Sequence, residues 1–144
     1  GKNDSLINLK FNNQNMNLLP LICYEIIFPN LVENKIRQFN FIINISEDAW
    51  FGDIVGPEQH FSKAIFRSIE TKAFTIRSAN KGVSAFIGPD GKILKSLNSS
   101  EFGNIDMDLP ILKSKKNTTK KSLIFSLFLI TYVVAFFVLR KFKL

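Results

Sequence analysis

From Ser122 to Leu139 the chain reads SLIFSLFLITYVVAFFVL, eighteen consecutive residues without a charge. As an α-helix rising 1.5 Å per residue, such a run is about 27 Å long, close to the hydrocarbon thickness of a bilayer. Ser122, Ser126 and Thr131 can return their hydroxyls to the helix's own carbonyls, so they do not forbid a lipid environment. Lys113, Lys115, Lys116, Lys120 and Lys121 stand before the run, and Arg140, Lys141 and Lys143 follow it. These are the cationic flanks expected at two membrane interfaces. A core helix of a globular protein is seldom apolar on every side and framed by lysines. The run is therefore read as one membrane-spanning helix, 122–139, with a basic linker at 113–121 and a basic tail at 140–144.

Charge supports this division. Residues 1–112 carry 11 Lys/Arg against 12 Asp/Glu, whereas residues 113–144 carry 8 Lys/Arg and no acid. The formal charge of +7 thus belongs to the tail, and the globular part has no excess of cations with which to hold a nucleic-acid backbone. One cysteine excludes an internal disulfide framework, and with a single histidine it leaves no metal cluster of the His/Cys kind. No cofactor and no metal is expected.

Within residues 1–112, the first seventeen are polar and Asn-rich and read as a loop. Leu18–Cys23 is a short apolar run suited to a buried strand with Pro20 at its start. Pro29 then opens a helix, with Leu31, Val32, Ile36 and Phe39 at helical spacing. Residues 40–46 (NFIINIS) form a second buried strand, giving strand, helix, strand within about thirty residues, the βαβ pattern. Glu47–Pro57 is a loop carrying Trp50 and Phe51, and Glu58–Lys72 is a helix with Phe61, Ala64, Ile65, Ser68 and Ile69 along one face. Phe74–Ala79 turns to period two. Val83–Gly88 and Lys92–Leu97 flank Pro89-Asp90-Gly91, a hairpin signal, and Gly103–Leu109 suggests one more strand. The class is a layered α/β domain. Strands this continuously apolar, with both faces covered, are expected to belong to a larger sheet that sequence outside this chain completes.

Cys23 ends a buried strand just before a helical segment, where N–H groups and a helix dipole can stabilise a thiolate and a backbone N–H an oxyanion. Taken alone, it reads more readily as a small buried hydrophobe than as a nucleophile. Its neighbours decide. Ile22-Cys23-Tyr24-Glu25-Ile26-Ile27-Phe28-Pro29 is followed by Ile45-Ser46-Glu47-Asp48-Ala49-Trp50-Phe51-Gly52 and Gly56-Pro57-Glu58-Gln59-His60-Phe61. Arg67 to Glu70, Arg77-Ser78-Ala79-Asn80-Lys81-Gly82 and Ile87-Gly88-Pro89-Asp90-Gly91-Lys92-Ile93 continue in order. These words, from Leu18 onward, resemble the nitrilase, or carbon-nitrogen hydrolase, superfamily, and within it the apolipoprotein N-acyltransferase family, whose members also close on a transmembrane helix.

The resemblance implies a partial nitrilase-type α-β-β-α sandwich followed by one C-terminal transmembrane helix. It implies that Cys23 attacks the acyl ester of a phospholipid to give a thioester, which then acylates the N-terminal amine of a diacylglyceryl-cysteine lipoprotein, a ping-pong reaction. Tyr24 and Glu25 match positions that support the site; Trp50 and Phe51 are candidates to line an acyl pocket or rest on lipid, or else core residues. Glu25 reads alternatively as a capping carboxylate, and His60 as structural rather than a proton carrier. The family's general-base glutamate and oxyanion lysine lie upstream of the cysteine, where this sequence has only Lys2, Asp4 and Lys10 as charged residues. The expectation is therefore a C-terminal portion, beginning at Gly1 without a signal peptide and inactive alone.

Glu47 and Lys81 stand where the family usually has Asn, and Glu58 where an uncharged residue is usual; the first two either alter loop geometry near the site or, equally, reflect drift in an Asn/Lys/Ile-rich sequence. The resemblance places the globular part on the periplasmic side of the bacterial inner membrane, as a monomer, with phospholipid and apolipoprotein as partners. The lysine count before the span points the other way, but charges that follow earlier spans weigh less. Two other readings stay open at this point: a membrane-tethered amidase acting on a small amide, and an inactive nitrilase-like membrane adaptor.

Overall fold

A computed structural model of the chain describes residues 6–11, 14–33, 35, 38–52, 55–112 and 121–141, with the side chains of the last helix described over 124–140. Residues 1–5, Ile36, most of the basic linker (113–120) and the end of the tail (142–144) lie outside these described residues.

Among the described residues, six strands form one mixed sheet in sequence order: β1 (Ile7–Phe11), β2 (Gln14–Ile22), β3 (Phe41–Glu47), β4 (Phe74–Asn80), β5 (Ser84–Ile87) and β6 (Ile93–Leu97). The central three, β2, β3 and β4, run parallel in the registers Ile22↔Ile45 and Ile45↔Ser78. The outer pairings, β1 with β2, β4 with β5 and β5 with β6, are antiparallel. The Asn-rich start is thus a hairpin rather than a loop: Leu9 opposes Met16 and Phe11 opposes Gln14. Met16 packs on the core cluster of Leu18, Phe41 and Phe74, and Asn17 ties the edge down by bonding Asn40 and the carbonyl of Gln38. Pro20 sits within β2 rather than at its start. β1 pairs no further than Leu18, so the proline lies beyond the stretch where β2 has an antiparallel neighbour.

The helical segment after Cys23 is short. A 3₁₀ turn, Cys23–Ile27, precedes a single α-turn, α1 (Asn30–Glu33), in which Val32 is buried and Leu31 exposed. The long helix is α2 (Gly56–Thr71), opened by Pro57 and ended by Lys72 in a left-handed conformation (φ 56°). Phe61, Ala64, Ser68 and Thr71 line its buried face. They rest on the sheet face carrying Leu19, Leu21, Ile42 and Ile87, and a buried Ser68–Thr75 hydrogen bond of 2.6 Å joins α2 to β4.

On the opposite face Leu18, Phe41 and Phe74 form a second cluster, with the two phenylalanine rings 6.0 Å apart. Residues 104–112 cross this face without forming the strand expected near Gly103–Leu109; Leu109, Ile111 and Leu112 pack on the cluster, and Asn40 bonds the Leu112 carbonyl at 2.9 Å. Toward the C-terminal ends of the parallel strands the cover stops, leaving the paired Ile22 and Ile45 exposed.

The last helix, α3, runs 21 residues, Lys121–Lys141, about 32 Å along its axis. Every described side chain on it is exposed, and Thr131 bonds back to the Phe128 carbonyl at 2.8 Å. Over the described residues no helix is long and apolar enough to cross a membrane.

Candidate active site

Strands β3 and β4 end level with one another, at Glu47 and Asn80, two residues beyond the end of β2 at Ile22, and the residues that follow the three are Cys23, Asp48 and Lys81. Ligands of open α/β sheets sit beyond this carboxyl edge. Cys23 and Lys81 both have positive φ, 49° and 51°. For a side-chain-bearing residue this left-handed conformation costs on the order of 1 kcal/mol, and it concentrates at functional sites. At Cys23 it bends the chain sharply out of β2, leaving the residue half-buried.

Beneath the sulfur lies a buried polar network. Asn44, Ser46 and Arg77 project from β3 and β4 toward α2, alternating with the apolar positions of the other face, and each is buried. Asp48 is its centre and is fully buried. Its Oδ1 accepts from Ser46 Oγ at 2.6 Å and from His60 Nδ1 at 2.9 Å, and its Oδ2 accepts from an Arg77 nitrogen at 2.5 Å. A carboxylate only accepts, so His60 carries its hydrogen on Nδ1. Arg77 also donates to Asn44 and to the carbonyl of Val83. Asn44 in turn donates to the Leu21 carbonyl at 2.9 Å and the Cys23 carbonyl at 3.4 Å, fixing the backbone of the bend. Burial alone would push the Asp48 carboxyl up. The hydrogen bonds from His60 and Ser46, with the charge and hydrogen bond of Arg77, outweigh it and bring Asp48 down to about 2.

Among the described residues, Ser46 Oγ at 3.7 Å and the Glu47 carbonyl at 4.0 Å stand within sulfur hydrogen-bonding distance of Cys23 Sγ. The helix dipole expected here is weak, because the Cys23–Ile27 turn has only five residues. Glu25 uses its carboxylate to accept the Ile22 N–H at 2.7 Å, a cap on that turn. Glu47 caps the next 3₁₀ turn, Asp48–Phe51, through the Ala49 N–H at 3.1 Å and ties β3 to β4 through Asn80 at 2.7 Å. Glu58 is exposed in the first turn of α2 and, with Lys81 and Phe102, borders a cavity of about 470 Å³.

The two aromatics of the loop part company. Trp50 is 86% exposed. Phe51 turns inward, 4.8 Å from the His60 ring and 6.0 Å from that of Tyr24. Tyr24, Phe51 and His60, with Lys63, line a cavity of about 200 Å³. Gly82 closes the network from above: a Cβ there would lie 2.1 Å from Asp48 Oδ2, so only glycine lets the β4–β5 turn approach the carboxylate.

Comparison with known proteins agrees with this arrangement. The carbon-nitrogen hydrolase family profile matches residues 9–111. The chain is 49% identical over 92 residues to a protein named apolipoprotein N-acyltransferase from Rhizobium rhizogenes, covering 64% of this chain and 17% of that protein. It is 39% identical over 127 residues to one of the same name from Rickettsia bellii, covering 83% of this chain and 26% of the relative. It thus spans about a quarter or less of these relatives' length. Among solved structures, the NitN amidase from Nesterenkonia sp. AN1 superposes with a TM-score of 0.60 at 21% identity, over 82% of this chain and 48% of that one; at that identity the match speaks for the fold. A nitrilase-type mixed sheet with a strained cysteine at its carboxyl edge, and a family match across most of its length, place this chain in the carbon-nitrogen hydrolase family.

Proposed function

We propose that this chain is the nucleophile-bearing part of a membrane-bound N-acyltransferase. In this reading Cys23 takes a fatty acyl group from a phospholipid as a thioester, releasing a lysophospholipid. The thioester then passes the acyl group to the N-terminal amine of a diacylglyceryl-cysteine lipoprotein. The observation that carries the reading is the placement of Cys23: a lone, half-buried cysteine in a left-handed bend, at the carboxyl edge of the parallel strands. Relatives 39–49% identical that bear the acyltransferase name support the choice of reaction.

Residues 1–112 are then the C-terminal part of a nitrilase-like domain, 113–121 a basic linker, 122–139 the membrane-spanning helix and 140–144 a basic tail. The all-round exposure of apolar side chains on α3 supports the anchor, since such a surface is unfavourable in water. The globular part faces the periplasm of the inner membrane. Cys23 is the catalytic residue; Tyr24 and Glu25 hold the bend; Phe51 borders the small cavity beside His60, and Trp50 reaches outward to the lipid. The general base and the oxyanion lysine come from sequence upstream of the cysteine in the longer protein.

The test uses the full-length protein that carries this chain, given phospholipid vesicles. A hydroxylamine-sensitive acyl adduct on the peptide containing Cys23, absent from Cys23→Ala, is the expected result. Unchanged lipoprotein acylation by Cys23→Ala overturns the reading.

A further inference from the structure

Ser46 lies between the sulfur and the buried carboxylate, with one hydrogen for two positions. Its Oγ is 2.6 Å from Asp48 Oδ1 and 3.7 Å from Cys23 Sγ, placed to donate to either. A hydroxyl has a single O–H and rotates to suit its partners. With the cysteine as a thiol, the hydrogen points to Asp48, and the oxygen's lone pairs and the Glu47 carbonyl face the S–H. With the cysteine as a thiolate, the sulfur becomes the acceptor, and a lone pair facing it is repulsive. Asp48 keeps its bonds from His60 and Arg77, so it tolerates losing the third.

We propose that Ser46 is a positioning residue whose hydroxyl turns from Asp48 to the sulfur when Cys23 loses its proton, stabilising the anion at the moment it becomes nucleophilic. The proton itself passes to a base, or to solvent in the assay below; Ser46 keeps its own hydrogen throughout. The inference rests on Cys23 being the nucleophile, but not on which acyl group it carries. The charged and titratable groups around the pair are Asp48, His60 and Arg77 beneath it. Glu25 and Glu47 stand beside it, their carboxylates engaged with the backbone N–H groups of Ile22 and Ala49.

The experiment follows alkylation of Cys23 by iodoacetamide against pH in the full-length protein, read by mass spectrometry of the Cys23 peptide. Wild type is compared with Ser46→Ala, Ser46→Val and Ser46→Thr. The Val and Thr side chains have one shape and differ in the hydroxyl, so this pair carries the test even where Ala disturbs folding. Removal of the hydroxyl is expected to slow alkylation at pH 7 about tenfold, the effect of one hydrogen bond to a charged atom. It should also move the midpoint of the pH profile upward, and Thr should restore both. Equal profiles for wild type, Ala and Val overturn the proposal, as does a Thr variant as slow as Val. Iodoacetamide needs no lipid. Absence of a phospholipid-derived adduct in the wild type would sink the acyltransferase reading while leaving the Ser46 comparison intact.

Discussion

Arg77 crosses from β4 to meet Asp48 at 2.5 Å, and both side chains are shut away from solvent. Such a pair is costly to break from one side, because the survivor is left charged in a low-dielectric interior. Arg77→Met alone is expected to destabilise the protein by about 3–5 kcal/mol. The double variant Asp48→Asn, Arg77→Met should lose less than the sum of the two single changes. Thermal and urea unfolding of the four proteins checks this as a double-mutant cycle.

The same carboxylate predicts an acid limb. Its folded value of about 2 lies below the ordinary 3.8, so its contribution to stability is complete above about pH 4 and disappears as pH falls toward 2. The amount at neutral pH is on the order of 2 kcal/mol. Unfolding midpoints measured from pH 5 to pH 2 should fall more steeply for wild type than for Asp48→Asn.

Gly82→Ala is expected to cost about 1–3 kcal/mol, the range for forcing an atom into a packed site, because the new methyl meets Asp48 Oδ2 at 2.1 Å. The change should also flatten the acid limb, since the displaced carboxylate gives up part of its contact with Arg77. A melt series at pH 7 and pH 3 reads both effects.

Cys23→Gly and Cys23→Ala should both abolish the acyl adduct, yet differ in stability. The bend at φ 49° suits glycine and strains alanine, so the glycine variant is expected to unfold later by roughly 0.5–1 kcal/mol. Equal stabilities would show that the bend carries no strain.

Trp50 is so exposed that Trp50→Ala should shift stability by less than about 0.5 kcal/mol. Its effect is expected in acyl transfer from phospholipid vesicles, as a raised KM with kcat little changed. Phe51→Ala, which uncovers His60, should instead lower stability by about 2 kcal/mol or more.

Much of the framework was legible in the sequence because period and punctuation are strong signals. The Gly56–Thr71 helix, the Phe41–Glu47 strand and the hairpin turning at Pro89-Asp90-Gly91 lie within a few residues of where the pattern put them. The errors have physical causes. Asn-rich Gln14–Asn17 reads as loop by composition, yet pairing with β1 draws it into a strand. Leu31 and Phe39 share helical spacing, but the described helix there lasts one turn. The cysteine and its flanking Tyr24 and Glu25 were conspicuous, whereas Ser46, Asp48 and Arg77 sat in the recognised words without a role. A signal for them existed: Asn44, Ser46, Thr75 and Arg77 fall at alternate positions of otherwise apolar strands, which puts polar groups on a buried face where they must find one another. The sequence alone gives His60 no partner, and the structure supplies one in Asp48.

The posture of the sulfur is set by groups from four separate elements: the bend after β2, Asn44 and Ser46 on β3, His60 on α2 and Arg77 on β4. For protein engineering this means that the nucleophile is not a portable loop. Transplanting Ile22–Phe28 onto another scaffold would carry a thiol without the lattice that aims it, whereas an exchange of the whole block from β2 through β4 between relatives would move the thiol together with that lattice.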